Sequence, residues 1–326
     1  MAARPRVRPG VLGWLLLVAA VGFCIAALAA SWQDVRASID QLSVLDLLGS
    51  GLAAAAGVLL TGLSWRAVLV GMGQHLPVHP ALTLFTAAQL GKYVPGSVWV
   101  VAIQADLGRR HRIPASVMAI SYLVAALIAV GTGAVMGLAG LLSPELPVAR
   151  PLLVAVALAG IVLLVALARP AVLEGILAWL ARLLRRDLPR VSLTPRAVAL
   201  AVLLECLGWI MLGTHLWLLA RPLGAAGATL PVTIGVFALA FVAGLVLIPL
   251  PAGLGVREGL LVAALAPSLG AGVAVTAAVL SRLVLVVIDL ALAAGTGALG
   301  LARRTVRLSR RAEGSTSDRG SPPPPS

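Results

Sequence analysis

The sequence predicts an all-α, polytopic transmembrane helix bundle of about eight crossings, with a re-entrant hairpin and a broken helix. Three observations carry this. The 326 residues are 60% hydrophobic and only 11% charged, where a soluble domain has about 25% charged residues. Mean hydropathy is +1.04. The apolar residues fall into long runs separated by Pro, Gly, Ser and Arg. Such a chain is neither a soluble enzyme, nor disordered, nor collagen-like.

The runs are 11–30, 45–70, 81–108, 114–142, 151–168, 197–220, 231–250 and 256–301, the last interrupted around Pro267–Gly272. Residues 1–10 form a basic N-terminus. The first run is about 20 residues, longer than the ~7–15 of a cleaved signal, so it reads as an uncleaved helix. Four arginine clusters set the orientation: Arg4, Arg6 and Arg8; Arg109, Arg110 and Arg112; the stretch from Arg169 to Arg196; and the group from Arg303 to Arg311. Placing all four in the cytoplasm leaves only Arg36, Arg150 and Arg221 in the short loops outside. Both termini are then cytoplasmic, and a plasma membrane is expected. The net charge of +13 reads as topology signal and not as a nucleic-acid surface.

With those clusters on one side, the run 81–108 must enter and return. Its arms, Ala81–Leu90 and Val98–Leu107, each reach ~15 Å, about half of a ~30 Å hydrocarbon core. Two passes are expected after residue 250: a broken helix over 251–269, then a full one over 271–301. The alternative is a surface helix at 258–269 and seven crossings. Residues 171–186 read as an amphipathic helix on the cytoplasmic leaflet, where arginines attract anionic lipids. Residues 302–326 read as a basic, disordered cytoplasmic tail. Cys24 and Cys206 both lie in apolar runs and read as structural thiols.

Ionisable groups inside a membrane are costly and mark sites. Lys92 is the only lysine among 25 basic residues. It stands at the apex of the hairpin, in Gly91-Lys-Tyr-Val-Pro-Gly-Ser-Val-Trp99. Pro95 breaks the helix, Gly91 and Gly96 admit a ligand to the backbone, and Ser97 can cap the second arm. A cation beside free helix-start amides suits a phosphate. The competing reading is that Lys92 pairs with a buried carboxylate for structure alone. The second break, from Pro249 to Gly259, has the same ingredients, including Gly253, Gly255, Arg257 and Glu258. Arg257 can bind an anionic headgroup, and Glu258 can serve Arg257 or Lys92. Arg282 and Asp289 share a face of the last helix, ~10.5 Å apart, so each needs another partner. Glu205 is a candidate for Arg282. His215 lies nearer the outer surface.

These two breaks, with Ser281-Arg282 following, resemble the transmembrane region of lysylphosphatidylglycerol synthases, whose stand-alone members are called flippase-like integral membrane proteins. The resemblance spans roughly 11–301. It implies a bundle with re-entrant segments that moves or binds a lipid with an anionic or aminoacylated headgroup. It also implies that Lys92, Tyr93, Pro95, Gly96, Ser97, Trp99, Gly253, Gly255, Arg257, Glu258 and Arg282 line the headgroup site. Bifunctional members carry a cytosolic aminoacyl-transferase domain. Only about 25 residues follow the last apolar run here, so aminoacyl-lipid synthesis is not expected.

Translocation of a phosphate-bearing lipid, whether a phospholipid or a polyprenyl-phosphate-linked glycan, is the expected function. A non-transporting scaffold in a cell-envelope pathway is the alternative. A membrane glycosyltransferase fits less well, because Asp34, Asp40 and Glu145 outside include no adjacent acidic pair. No enzymatic activity, metal or cofactor is expected. The sequence leaves the oligomeric state open.

Overall fold

The structure, a computed structural model, describes residues 36, 41–94, 99–142, 150–172, 174–175, 178–179, 192–223, 229–246 and 255–317. The expected first helix at 11–30 and Cys24 lie outside them, as does most of the expected surface helix at 171–186. Pro95, Gly96, Ser97 and Gly253 lie outside them too.

Among the described residues nine α-helices follow one another: α1 (Val44–Gly71), α2 (Val78–Gln89), α3 (Trp99–Arg109), α4 (Ala115–Met136), α5 (Arg150–Leu167), α6 (Pro195–Ala220), α7 (Leu230–Val246), α8 (Val256–Leu269) and α9 (Ala271–Ser317). No strand occurs among the described residues. The boundaries follow local chemistry. Ser43 and Asp46 form a reciprocal capping box at the start of α1, with bonds of 3.1 and 3.2 Å. Thr194 caps α6 ahead of Pro195, whose missing N–H belongs in a first turn. Gly270, with φ +80°, ends α8 in a backbone region that favours glycine.

Among the described residues five helical stretches are long and apolar enough to cross a membrane: Val44–Gly71, Ala115–Ala139, Arg150–Leu167, Pro195–Leu223 and Ala271–Leu299. The protein is thus an all-α polytopic membrane protein. The helix α9 runs on to Ser317, past the boundary at 301 where the tail was expected to begin. Alanine, leucine and arginine dominate residues 298–311 and are strong helix formers.

Side-chain contacts fix the direction of each helix. Ser50 Oγ donates to the carbonyl of His215 at 3.1 Å, and Ser64 Oγ to that of Ala201 at 2.9 Å, so α1 and α6 are antiparallel. Small residues bring them close: a Cβ on Gly57 would fall 2.6 Å from Leu212. The Nε1 of Trp65 donates to Ser121 Oγ at 3.1 Å, which puts the start of α4 at the end of α1. His215 Nε2 lies 2.8 Å from Ser281 Oγ, which puts the start of α9 beside the end of α6. The bundle thus has an upper end, with Val44, Ala220, Leu230 and Ala271, and a lower end, with Gly71, Val78, Arg109 and Pro195.

Two pairs of packed helices, α2 with α3 and α7 with α8, lie within this frame. In the first, α2 rises from the lower end along α9, where Thr86 and Thr296 hydroxyls meet at 3.0 Å. A 3₁₀ turn, Leu90–Tyr93, follows, and α3 returns beside it. The return is tight, since a Cβ on Gly91 would fall 2.9 Å from the Val100 nitrogen. In the second, α7 descends from the upper end and α8 climbs back to Gly270. The run 231–250 was expected as a separate crossing, because its length alone permits one. In the structure α7 and α8 are packed together. The segment 258–269, in the alternative a surface helix, packs on the bundle. Leu261 and Leu265 are buried in the core shared with α9.

Candidate functional site

The tips of both hairpins open onto one cavity of about 200 Å³. Lys92 and Tyr93 come from the first tip, Arg257 from the second, Arg282 from α9 and Glu205 from α6. Thr61, Tyr122, Trp65, Phe85, Trp209 and Phe241 complete much of the wall. The space is enough for a phosphate group and hydrating water.

Each cation is treated differently. Lys92 Nζ lies 2.7 Å from Asp289 Oδ2, and the Tyr93 hydroxyl donates to the same oxygen at 2.5 Å. The Lys92 side chain keeps 26% of its surface accessible, while that of Asp289 is fully covered. Arg282 Nη1 donates to Glu258 Oε1 at 2.9 Å. The other Glu258 oxygen accepts the backbone N–H of Gly255 at 2.8 Å, which caps α8 and fixes the carboxylate. Gly255 holds φ +86° to make that turn, a conformation that other residues rarely take. Glu258 and Arg282 each stand 12 residues from Gly270, so the pair lies ~18 Å along the helices from the upper turn.

Arg257 has no such partner. It is 6% exposed, and its Nε and Nη2 find no hydrogen bond among the described residues. Its guanidinium lies over the rings of Phe237 at 4.6 Å and Phe241 at 5.8 Å. These aromatic faces offset part of the charge, but they offer nothing to in-plane N–H donors. Behind Phe237 stands His215, edge-on at 5.0 Å, its Nε2 bonded to Ser281 and its Nδ1 against the Leu212 carbonyl.

The structure therefore reassigns the partners. Glu258 serves Arg282, and not Lys92 or Arg257. Asp289 serves Lys92. Glu205, expected as a partner for Arg282, instead accepts from Thr61 Oγ1 at 3.4 Å. Spacing along one helix constrains neither choice, because each pair joins two helices. Trp99 opens α3 but is not among the residues lining the cavity. Asp106 is exposed near the lower end, and Cys206 is a half-buried free thiol. The aromatic floor under Arg257 was missed. Its signal was present: Phe237 and Phe241 are four apart and share one face of a helix.

Buried donors without acceptors are rare in native proteins, so those of Arg257 call for an explanation. A planar fork of donors suits a phosphate or carboxylate. Two compensated ion pairs with a third, uncompensated cation give the cavity wall a surplus positive charge on its hairpin side. A comparison with curated proteins finds no match. The family model described as Lysylphosphatidylglycerol synthase TM region matches residues 11–293, and the chain belongs to that family.

Proposed function

We propose that this protein binds an anionic, phosphate-bearing membrane lipid in the cavity and carries its headgroup across the bilayer. The observation that carries this reading is the buried guanidinium of Arg257, unsatisfied among the described residues, where two opposed hairpins meet. Burying a phosphate without cations is prohibitive. Here Arg257 supplies the fixed donor fork and Lys92, still partly accessible, the movable charge.

The membrane frame supports the reading. Arg109, Arg110, Arg112 and Arg196 fall at the lower end of the bundle; in this reading that end is cytoplasmic, as are both termini. The first hairpin enters from the cytoplasm and the second from outside. Lys92 stands 14 residues above Val78, ~21 Å of helix, and so reaches the middle of a ~30 Å core. Broken segments at mid-depth are tolerated only around a cavity, and in transporters they mark the substrate site. A pair of hairpins open to opposite sides provides two routes to one site. In this reading the chain acts in the plasma membrane as a carrier without covalent chemistry. Its partners are the lipid substrate and the anionic lipids of the cytoplasmic leaflet.

The test is reconstitution into phosphatidylcholine vesicles with a fluorescently labelled phosphatidylglycerol. The account expects dithionite to bleach label from both leaflets, and expects Arg257→Ala and Lys92→Ala to slow exchange to the protein-free rate. No movement above protein-free vesicles, or full movement in Lys92→Ala, overturns it.

A further inference from the structure

Glu205 is the one carboxylate among the described residues that line the cavity. It is 3% exposed, and the hydroxyls of Thr61, at 3.4 Å, and Ser64 stand against it. The other two buried carboxylates of this region are both matched to cations, Asp289 to Lys92 and Glu258 to Arg282. No ion pair involves Glu205 among the described residues.

The groups that face it come from every neighbouring element. The helix α1 gives Thr61 and Ser64, α4 gives Tyr122, and α7 gives only Phe241, Gly244 and Leu245. The helix α9 gives Arg282, already held by Glu258. Across the cavity stand Lys92 and Tyr93, both held by Asp289, and Arg257. On its own helix Cys206 adjoins it, and His215 is engaged with Ser281. Arg257 is thus the cation here with no carboxylate of its own. Glu205 and Arg257 line the same cavity, and neither has an ion-pair partner among the described residues.

We infer that Glu205 is a proton-binding site, and that an anionic headgroup and a proton enter the cavity together. The step balances simply. A phosphodiester anion bonds to Arg257 and brings a second negative charge into the cavity that Glu205 lines. Glu205, an unpaired carboxylate beside that anion, then takes up one solvated proton from the bulk solution and becomes a neutral acid. A lone buried carboxylate is neutralised more cheaply than it is kept charged. The net charge of the filled cavity equals that of the empty one. Lipid movement is then electroneutral and can be driven by a proton gradient.

This inference rests on the reading that a lipid phosphate occupies the cavity. It is tested on the full chain in phosphatidylcholine nanodiscs, titrated with a short-chain phosphatidylglycerol from about pH 5 to 9. Calorimetry in two buffers of different ionisation heat counts the protons taken up. The expected result is uptake approaching one proton per lipid within that range, with affinity rising by up to about tenfold per unit fall in pH. Glu205→Gln, which keeps the shape and the bond from Thr61, removes both effects while lipid still binds. Infrared difference spectra of the unaltered protein show a protonated-carboxyl stretch that grows with lipid, a readout that needs no variant. Lipid binding with no proton uptake at any pH overturns the inference and leaves the lipid reading standing. Absence of lipid binding overturns both.

Discussion

The tip of the first hairpin holds Lys92 against Asp289 at 2.7 Å, whereas the tip of the second leaves Arg257 without a hydrogen-bond acceptor among the described residues. Both cations open on the same cavity. Lys92 is neutralised and partly accessible; Arg257 is buried on two aromatic rings. The difference separates two jobs. A compensated pair holds a broken segment inside the bundle. An uncompensated cation stores unmet hydrogen-bonding capacity that a ligand can satisfy. The same charge at similar depth therefore has opposite expected effects on stability.

The largest effect is expected where the first tip loses its counter-ion. Asp289→Ala strands Lys92 and also frees the Tyr93 hydroxyl. Breaking one side of a buried pair costs about 3–5 kcal/mol, so the melting temperature in detergent should fall sharply. Replacing both partners, Lys92→Met with Asp289→Leu, should recover most of that loss without restoring lipid movement. A double variant no more stable than Asp289→Ala would break the comparison.

The backbone gives the next contrast. Gly91→Ala drives a Cβ to 2.9 Å from the Val100 nitrogen, whereas Gly259 has nothing within 4 Å of its Cβ position. Overpacking of that kind costs about 1–3 kcal/mol, while the Gly259→Ala change should stay within about 0.5 kcal/mol. Thermal unfolding of the two variants side by side checks this. Equal losses would mean that the first hairpin is not closed as described.

The smallest stability change, and the one of opposite sign, is expected at the second tip. Arg257→Met removes a buried charge without breaking an ion pair and keeps apolar contact with Phe237 and Phe241. Stability should hold or rise by about 1 kcal/mol, while exchange of labelled phosphatidylglycerol falls to the background rate. A clear loss of stability would mean that Arg257 already has a structural partner.

The helical bundle was legible because lipid leaves the backbone few alternatives, and hydropathy alone locates the runs. The ionisable residues of the site were legible for the same reason, since Lys92, Glu205, Arg257, Glu258, Arg282 and Asp289 are all costly inside an apolar run. Their pairing was not. Whether Glu258 meets Lys92, Arg257 or Arg282 depends on how α8 lies against α9, and no spacing within one segment encodes that. The upper hairpin was hidden for a related reason. Residues 231–250 are long enough to cross, and only the contacts of α7 with α8, together with the burial of Leu261 and Leu265, show the two helices packed as a pair. Phe237 and Phe241 looked like ordinary core, because an aromatic becomes part of a cation site only once the cation is seen above it.

The central claim, that Arg257 waits for an anionic headgroup, is tested most directly by native mass spectrometry of the protein released gently from membranes. The unaltered chain should carry a bound lipid whose mass and fragmentation give a phosphate-bearing headgroup, and Arg257→Met, folded and equally stable, should emerge without it. Retention of the same lipid at the same occupancy by Arg257→Met would contradict the account.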